Sequence, residues 1–215
     1  MYRKVIVWPQ RALYKESRSV ELKEPDFTKL DDLVDTFRVI QGYGLAAPQI
    51  GHQIRAFVIN HHALNIDGYD GEYIEIINPS IKCSGNEFIS TESCFSVPEV
   101  SVRIKRYENC ELTFFDRTGK SHTIFAVGQA AACIQHEYDH LDGKLLLNRV
   151  SSLKRSMLTR KINKIRKKKA QAIALAKKQF EEDSLLYSSE PTREKRSAPS
   201  RKRKKRVKRQ KRKRK

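Results

Sequence analysis

The chain has 215 residues, and its 44 Lys and Arg outnumber 25 Asp and Glu, for a formal net charge of +19. The excess is local: residues 151–215 carry 27 basic and 5 acidic side chains, so the first 150 residues hold 17 basic and 20 acidic ones and form an ordinary, slightly acidic domain. Four scattered cysteines without a CxxC exclude a disulfide scaffold and fit reduced thiols in a cytosolic setting, while the absence of any run near the roughly 18 apolar residues of a bilayer span excludes a membrane partner. The apolar run at 5–8 is too short for a signal peptide.

In chain order, "DFTKLDDLVDTFRVIQ" (26–41) places Phe27, Leu30, Val34 and Phe37 at helical spacing, with Asp26 as N-cap and Gly42 and Gly44 as the stop. "GYGLAAPQIG" follows, a loop of small residues that lets backbone approach something closely. "IRAFVIN" (54–60) and "YIEIIN" (73–78) read as strands, as do the alternations Val100, Val102, Ile104 and Cys110, Leu112, Phe114. "DRTGK" (116–120) is a hairpin turn into "SHTIFAV". An Ala-rich helix over about 128–141 ends near Gly143, and "LLLN" (145–148) is short and apolar. A basic helix over 152–180 is expected to dock its first half through Leu153, Met157, Ile162 and Ile165. Many strands followed by one buried helix give an α+β fold of antiparallel or mixed β-sheets around that helix. The expected domains are 1–150, a basic helix 151–180 and a disordered, strongly basic tail 181–215.

The Ala-rich helix carries "QHEYDHLDG" (135–143). Residues four apart project from nearly one face, so His136 and His140 can both turn a ring nitrogen to one cation, with Glu137 beside them as general base. Two histidines and a Glu at this spacing also arise by chance on polar helices. Here the preceding turn, "AAACI", is apolar, which favours a buried helix. Asp139 and Asp142 are candidate acceptors for the imidazoles. A catalytic cation needs a third ligand; no histidine follows His140 and the next Glu is Glu181, so the ligand is expected upstream.

Three segments together, "GYGLAAPQ" (42–49), "ESCFS" (92–96) and "QHEYDHLDG", resemble the GxGLAAxQ, EGCxS and QHExDHLxG motifs of the peptide deformylase family, in the same order. "INP" (77–79), Arg106 and the "FDRTGK" hairpin agree, and the likeness runs to about residue 165. The resemblance implies a deformylase-like fold around the HExxH helix, and a cation held by Cys94, His136 and His140 with a fourth position for water. Family membership implies Fe2+ in the cell, although this donor set also suits Zn2+, and Ni2+ or Co2+ are possible. It further implies Glu137 as base, Gln49 and the Phe95 N–H as donors to the developing oxyanion, Gly44 beside them, and a substrate pocket at Tyr43, Gly44, Glu92, Ala132 and Cys133. The implied reaction removes the formyl group from formyl-methionyl nascent peptides and releases formate.

Ser93 stands at the motif's glycine, where a positive φ would cost about 1 kcal/mol or more. Phe95, Tyr43, Ala132 and Gln129 also depart from the usual residues, so weaker or altered activity is expected. Two other readings remain: a different HExxH hydrolase such as a peptidase, and an RNA-binding protein on a decayed deformylase scaffold. In residues 201–215, 13 of 15 are basic, without aromatics. They serve as a solubilising extension, a nuclear-localisation signal in a eukaryotic host, or a tether to phosphate. The tether reading puts residues 151–215 on ribosomal RNA, in a cytoplasmic (or organellar) monomer.

Overall fold

Helix α1 (Thr28–Ile40) has Phe27, not the expected Asp26, at its N-cap, and Asp26 one residue earlier accepts the Thr28 N–H on its carboxylate at 3.0 Å. These coordinates belong to a computed structural model that describes residues 1–23, 26–66, 69 and 71–188. Leu30, Val34 and Phe37 are buried on one side of α1, with Phe27 partly buried beside them. Gln41, not Gly42, ends the helix by taking a left-handed φ of 51°. Gly42 has another task, described with the site.

Five strands follow: β1 (Gly44–Ala46), β2 (Ala56–Ile59), β3 (Ile74–Cys94), β4 (Val97–Phe115) and β5 (Ser121–Val127). They form one sheet in sequence order, every pairing antiparallel. A parallel contact exists as one isolated bridge, Arg18 to Ile54. The two alternations at 100–104 and 110–114 are parts of the single strand β4. Its partner β3 runs sixteen residues past the expected end at Asn78. Register shifts at Ile77/Ser80, Ser84/Glu87 and Ser93/Cys94, and a left-handed Asn78, interrupt the period of two that would have marked it.

Helix α2 (Gln129–Leu141) lies on one face of this sheet, and α1 on the other. Strand β2 shows why: Phe57 and Ile59 join Ala131, Ile134 and Leu141 of α2, while Ala56 and Val58 join Leu30, Leu33 and Phe37 of α1. A strand covered on both faces reads as an unbroken apolar run, as "AFVI" does. A third cluster gathers Leu13, Val97, Val100, Val102 and Ile104 around Leu145, Leu146 and Leu147.

Helix α3 (Ser152–Ser188) extends that third cluster. Ile162 is buried in it and Leu158 packs on it, with Ile165 half-buried, but Leu153 and Met157 are exposed, contrary to the expected docking set. The side that docks is the 158/162/165 stripe, one turn further along. The first compact unit therefore ends at Arg166 rather than near residue 150, and a second unit begins at Lys167. Its described part is helical to Ser188, eight residues beyond the expected limit at Phe180, with Lys177–Glu181 and Lys178–Glu182 pairs one turn apart. The expected tail beyond Ser188 lies outside the described residues.

Candidate metal centre and its cavity

Cys94 is the last residue of β3, and Phe95–Ser96 form a two-residue turn before Cys94 pairs with Val97 of β4. That turn carries the Cys94 sulfur to α2. Its Sγ lies 3.3 Å from His140 Nε2, and the ligand atoms of Cys94, His136 and His140 all fall within 4.8 Å of one another. The imidazoles meet edge to face, ring centres 5.0 Å apart. All three residues are buried.

The glycine loop completes the group. Gln49, 2% exposed, accepts the Ala46 N–H on Oε1 at 2.8 Å and turns Nε2 toward Cys94 Sγ (3.5 Å) and Ser96 Oγ (3.3 Å). A Cβ on Gly44 would stand 2.6 Å from Glu137 Oε1, so only glycine leaves room for that carboxylate. A Cβ on Gly42 would meet the Phe95 ring at 2.6 Å. Gly42 thus serves close packing across the cavity rim instead of ending α1. The N-terminal segment ties the two motifs together: the Ile6 N–H donates to the Gln49 carbonyl at 2.7 Å and the Trp8 N–H to the Ser96 carbonyl at 2.8 Å. Nothing in the sequence pattern points to this strap, because its role is carried by main-chain atoms.

Charge is organised around His136. Its Nδ1 meets Glu92 Oε2 at 2.8 Å, and Arg106 grips the same carboxylate through Nε at 2.8 Å and Nη2 at 2.9 Å. Arg106 Nη1 donates to Asp139 at 2.7 Å, and Arg149 also binds Asp139. Burial alone would raise Glu92, but Arg106 and His136 outweigh it and hold the carboxyl down at about 2. Burial works against a charge on both histidines. Hydrogen bonds to Cys94 and Glu92 nevertheless raise His136, whereas His136 and Arg106 push His140 further down. His140 is therefore neutral, the form in which an imidazole offers a lone pair. Burial lifts Glu137 to about 7. Its Oε2 is buried without a hydrogen-bond partner among the described residues.

This donor set fits a cation. A thiolate and two imidazoles are borderline-soft ligands suited to Zn2+ or Fe2+. Three protein ligands leave one position open, the pattern of a catalytic rather than a structural site. The unpartnered Glu137 oxygen beside them suits a water or substrate group.

A cavity of about 800 Å3 opens from this centre. Of the residues singled out in the sequence, Tyr43, Gly44, Gln49, Glu92, Cys94, Phe95, Ala132, Cys133, His136 and Glu137 all line it. Tyr43 is 64% exposed at its mouth. Cys133 lies on the wall, its thiol pushed well up by burial. Glu92 lines the cavity and in addition bonds Arg106 and His136 through its two oxygens. Asp139 and Asp142 do not reach the imidazoles; Asp139 holds Arg106 and Arg149, and Asp142 holds Arg55. Ser93 lies in strand backbone without positive φ and shares a 2.8 Å hydroxyl bond with Ser101, so the expected backbone penalty does not arise.

Comparison with known proteins gives one answer. The family model described as polypeptide deformylase matches residues 2–156. A peptide deformylase of Nautilia profundicola is 36% identical over 166 residues, covering 77% of this chain and 95% of that protein. One from Bartonella quintana is 37% identical over 167 residues, covering 77% and 93%. A crystal structure of a peptide deformylase from Legionella pneumophila superposes with a TM-score of 0.70 at 37% identity, over 79% of this chain and 98% of that one. The Ehrlichia chaffeensis enzyme in complex with actinonin gives 0.67 at 33% identity, over 78% and 97%.

Proposed function

The chain belongs to the polypeptide deformylase family, and from that premise we propose a residue-by-residue account of how it removes the N-formyl group from formyl-methionyl peptides. The observation that carries it is the convergence of Cys94, His136 and His140 beside Glu137 and Gln49 in one cavity. A divalent ion held by Cys94, His136 and His140 would supply a Lewis acid and lower the pKa of water. Glu137, poised near neutrality by burial, takes the proton from the attacking water. The Gln49 amide and the Phe95 N–H donate to the carbonyl oxygen as it gains charge. Glu137 returns the proton to the departing amine, leaving formate and a free N-terminus. Fe2+ is the proposed ion in the cell, with Zn2+, Ni2+ and Co2+ as substitutes that the same three donors accept.

Anaerobic purification with metal analysis, followed by formate release from formyl-Met-Ala-Ser, tests this account. One ion per chain and formate release that Glu137→Ala abolishes support it. Peptide-bond cleavage without formate would favour a peptidase, and a metal-free, inactive chain would favour an RNA-binding scaffold.

A second proposal concerns residues 151–215, whose 27 basic side chains suit salt-sensitive binding to phosphate. They would hold this cytoplasmic enzyme on ribosomal RNA, where formylated chains emerge. Because Ile162 is packed in the first unit, a test truncation belongs after Arg166. Equal co-sedimentation of truncated and full-length protein with ribosomes at moderate salt would refute the tether.

A further inference from the structure

Five buried polar side chains line the cavity among the described residues: Gln49, Ser90, Glu92, His136 and Glu137. Four act at the reacting end. Ser90 is the fifth, wholly inaccessible to bulk solvent, and the mechanism has no use for it. Alternation along β3 puts Ser90 on the face that carries Glu92 and Cys94. Its Oγ donates to the Oε1 of Gln129, the first residue of α2, at 3.4 Å.

Four residues of strand separate Ser90 from Cys94, about 13 Å. Seven residues of helix separate Gln129 from His136, about 10 Å. Strand and helix thus carry a polar pair to the end of the cavity away from the ligands. The lining residues Ala126, Ala130 and Ala132 are small, which leaves width for a side chain. The Ser90 bond occupies the Gln129 carbonyl oxygen, and because Gln129 is exposed its Nε2 N–H groups are open to solvent or to a side chain that displaces it. The thioether of methionine accepts such a bond only weakly. The oxygen of methionine sulfoxide accepts it well, on a chain of the same length.

We propose that Ser90 and Gln129 set the side-chain range of the substrate's first residue and admit N-formyl-methionine sulfoxide, so that an N-terminus oxidised at its methionine is still deformylated. This rests on the formyl-hydrolase reading of the site. The chemistry is unchanged: the formyl C–N bond breaks, water supplies the new oxygen of formate, and its protons go to formate and the amine. The sulfoxide is neither reduced nor oxidised.

The test compares kcat/KM for formyl-Met-Ala-Ser and its sulfoxide with the metal-loaded wild-type enzyme, Gln129→Leu and Ser90→Val. Calorimetric binding of the sulfoxide product peptide provides a readout independent of turnover. The ratio of the two substrates cancels any difference in folded or active fraction. The expected result is cleavage of both peptides by wild type and a fall in the sulfoxide-to-thioether ratio of about fivefold to tenfold in Gln129→Leu, the size of one hydrogen bond. Binding of the product should weaken in parallel. A ratio unchanged in both variants, or a sulfoxide peptide that wild type does not cleave, overturns this inference while leaving the deformylase reading intact. No formate from either peptide removes that reading and this inference with it.

Discussion

The two faces of α2 obey opposite rules. On the side toward β4, Gln135 exchanges bonds with the Tyr107 backbone at 2.9 and 3.2 Å, and Asp139 binds two arginines. On the side toward the cavity, Glu137 Oε2 is buried with no partner among the described residues. Buried polar atoms normally find partners, so the first face is what stability asks of a helix. The second gives up that satisfaction and keeps the Glu137 acceptor free for chemistry. The faces are nevertheless joined, because Arg106 runs from Asp139 to Glu92 and Glu92 holds His136. Supporting charge on one side orients a ligand on the other.

Breaking each face should therefore damage a different property. Glu137→Ala removes the base and should lower kcat/KM for a formyl peptide by about a thousandfold, within the usual range for a lost general base. Metal content should hold; loss of the metal along with activity would deny Glu137 a chemical role. Asp139→Ala attacks the other face. It leaves Arg106, 3% exposed, with one carboxylate fewer, and breaking such a buried pair costs about 3–5 kcal/mol. Urea unfolding of the metal-loaded protein reads this, and a loss under 1 kcal/mol would mean that Arg149 and solvent compensate.

The same contrast explains what could be read in advance. On the cavity face His136, Glu137 and His140 were legible because their chemistry restricts residue type at fixed spacing, whereas Cys94 and Gln49 emerged only through the likeness of their segments to the deformylase motifs. The supporting face was not, since an Asp, an Arg and a Glu on three elements have no shared period. Asp139 holds Arg106 and Arg149 instead of an imidazole, and Glu92, although it lines the cavity, also holds His136, a contact that no sequence period marks. Helices α1 and α2 and strand β5 followed from apolar periodicity, whereas β3 was hidden by its register shifts. Main-chain contacts such as Ile6 to Gln49 leave no mark on composition. Ser93 has ordinary strand backbone, a property that a motif mismatch cannot convey.

Titration sharpens the difference between the faces. Glu137 rises from an ordinary 4.5 to about 7 on burial, so folding favours its protonated form. Its contribution to the stability of the metal-free protein is complete below about pH 4.5 and is lost as pH climbs through 7, a change of about 3 kcal/mol. Glu137→Gln should make the chelated protein more stable than wild type at pH 8, with the gap closing near pH 4.5 in denaturant titrations. Parallel curves at both pH values would place the carboxylate in contact with solvent.

The smallest effect belongs to the link between the faces. Glu92→Gln keeps the shape of the Arg106 contact but replaces a carboxylate on His136 Nδ1 with a neutral amide. A ligand histidine that loses such a partner usually costs its site about 10–100-fold in metal affinity. Competition with a chromophoric chelator should show that loss, while kcat of the fully loaded variant changes less, because Glu92 does not touch the reacting atoms. Glu92 is held down at about 2, so the weakening should be constant across neutral pH. An affinity equal to wild type with lowered stability would make Glu92 a partner of Arg106 alone, and α2 would then have two independent faces.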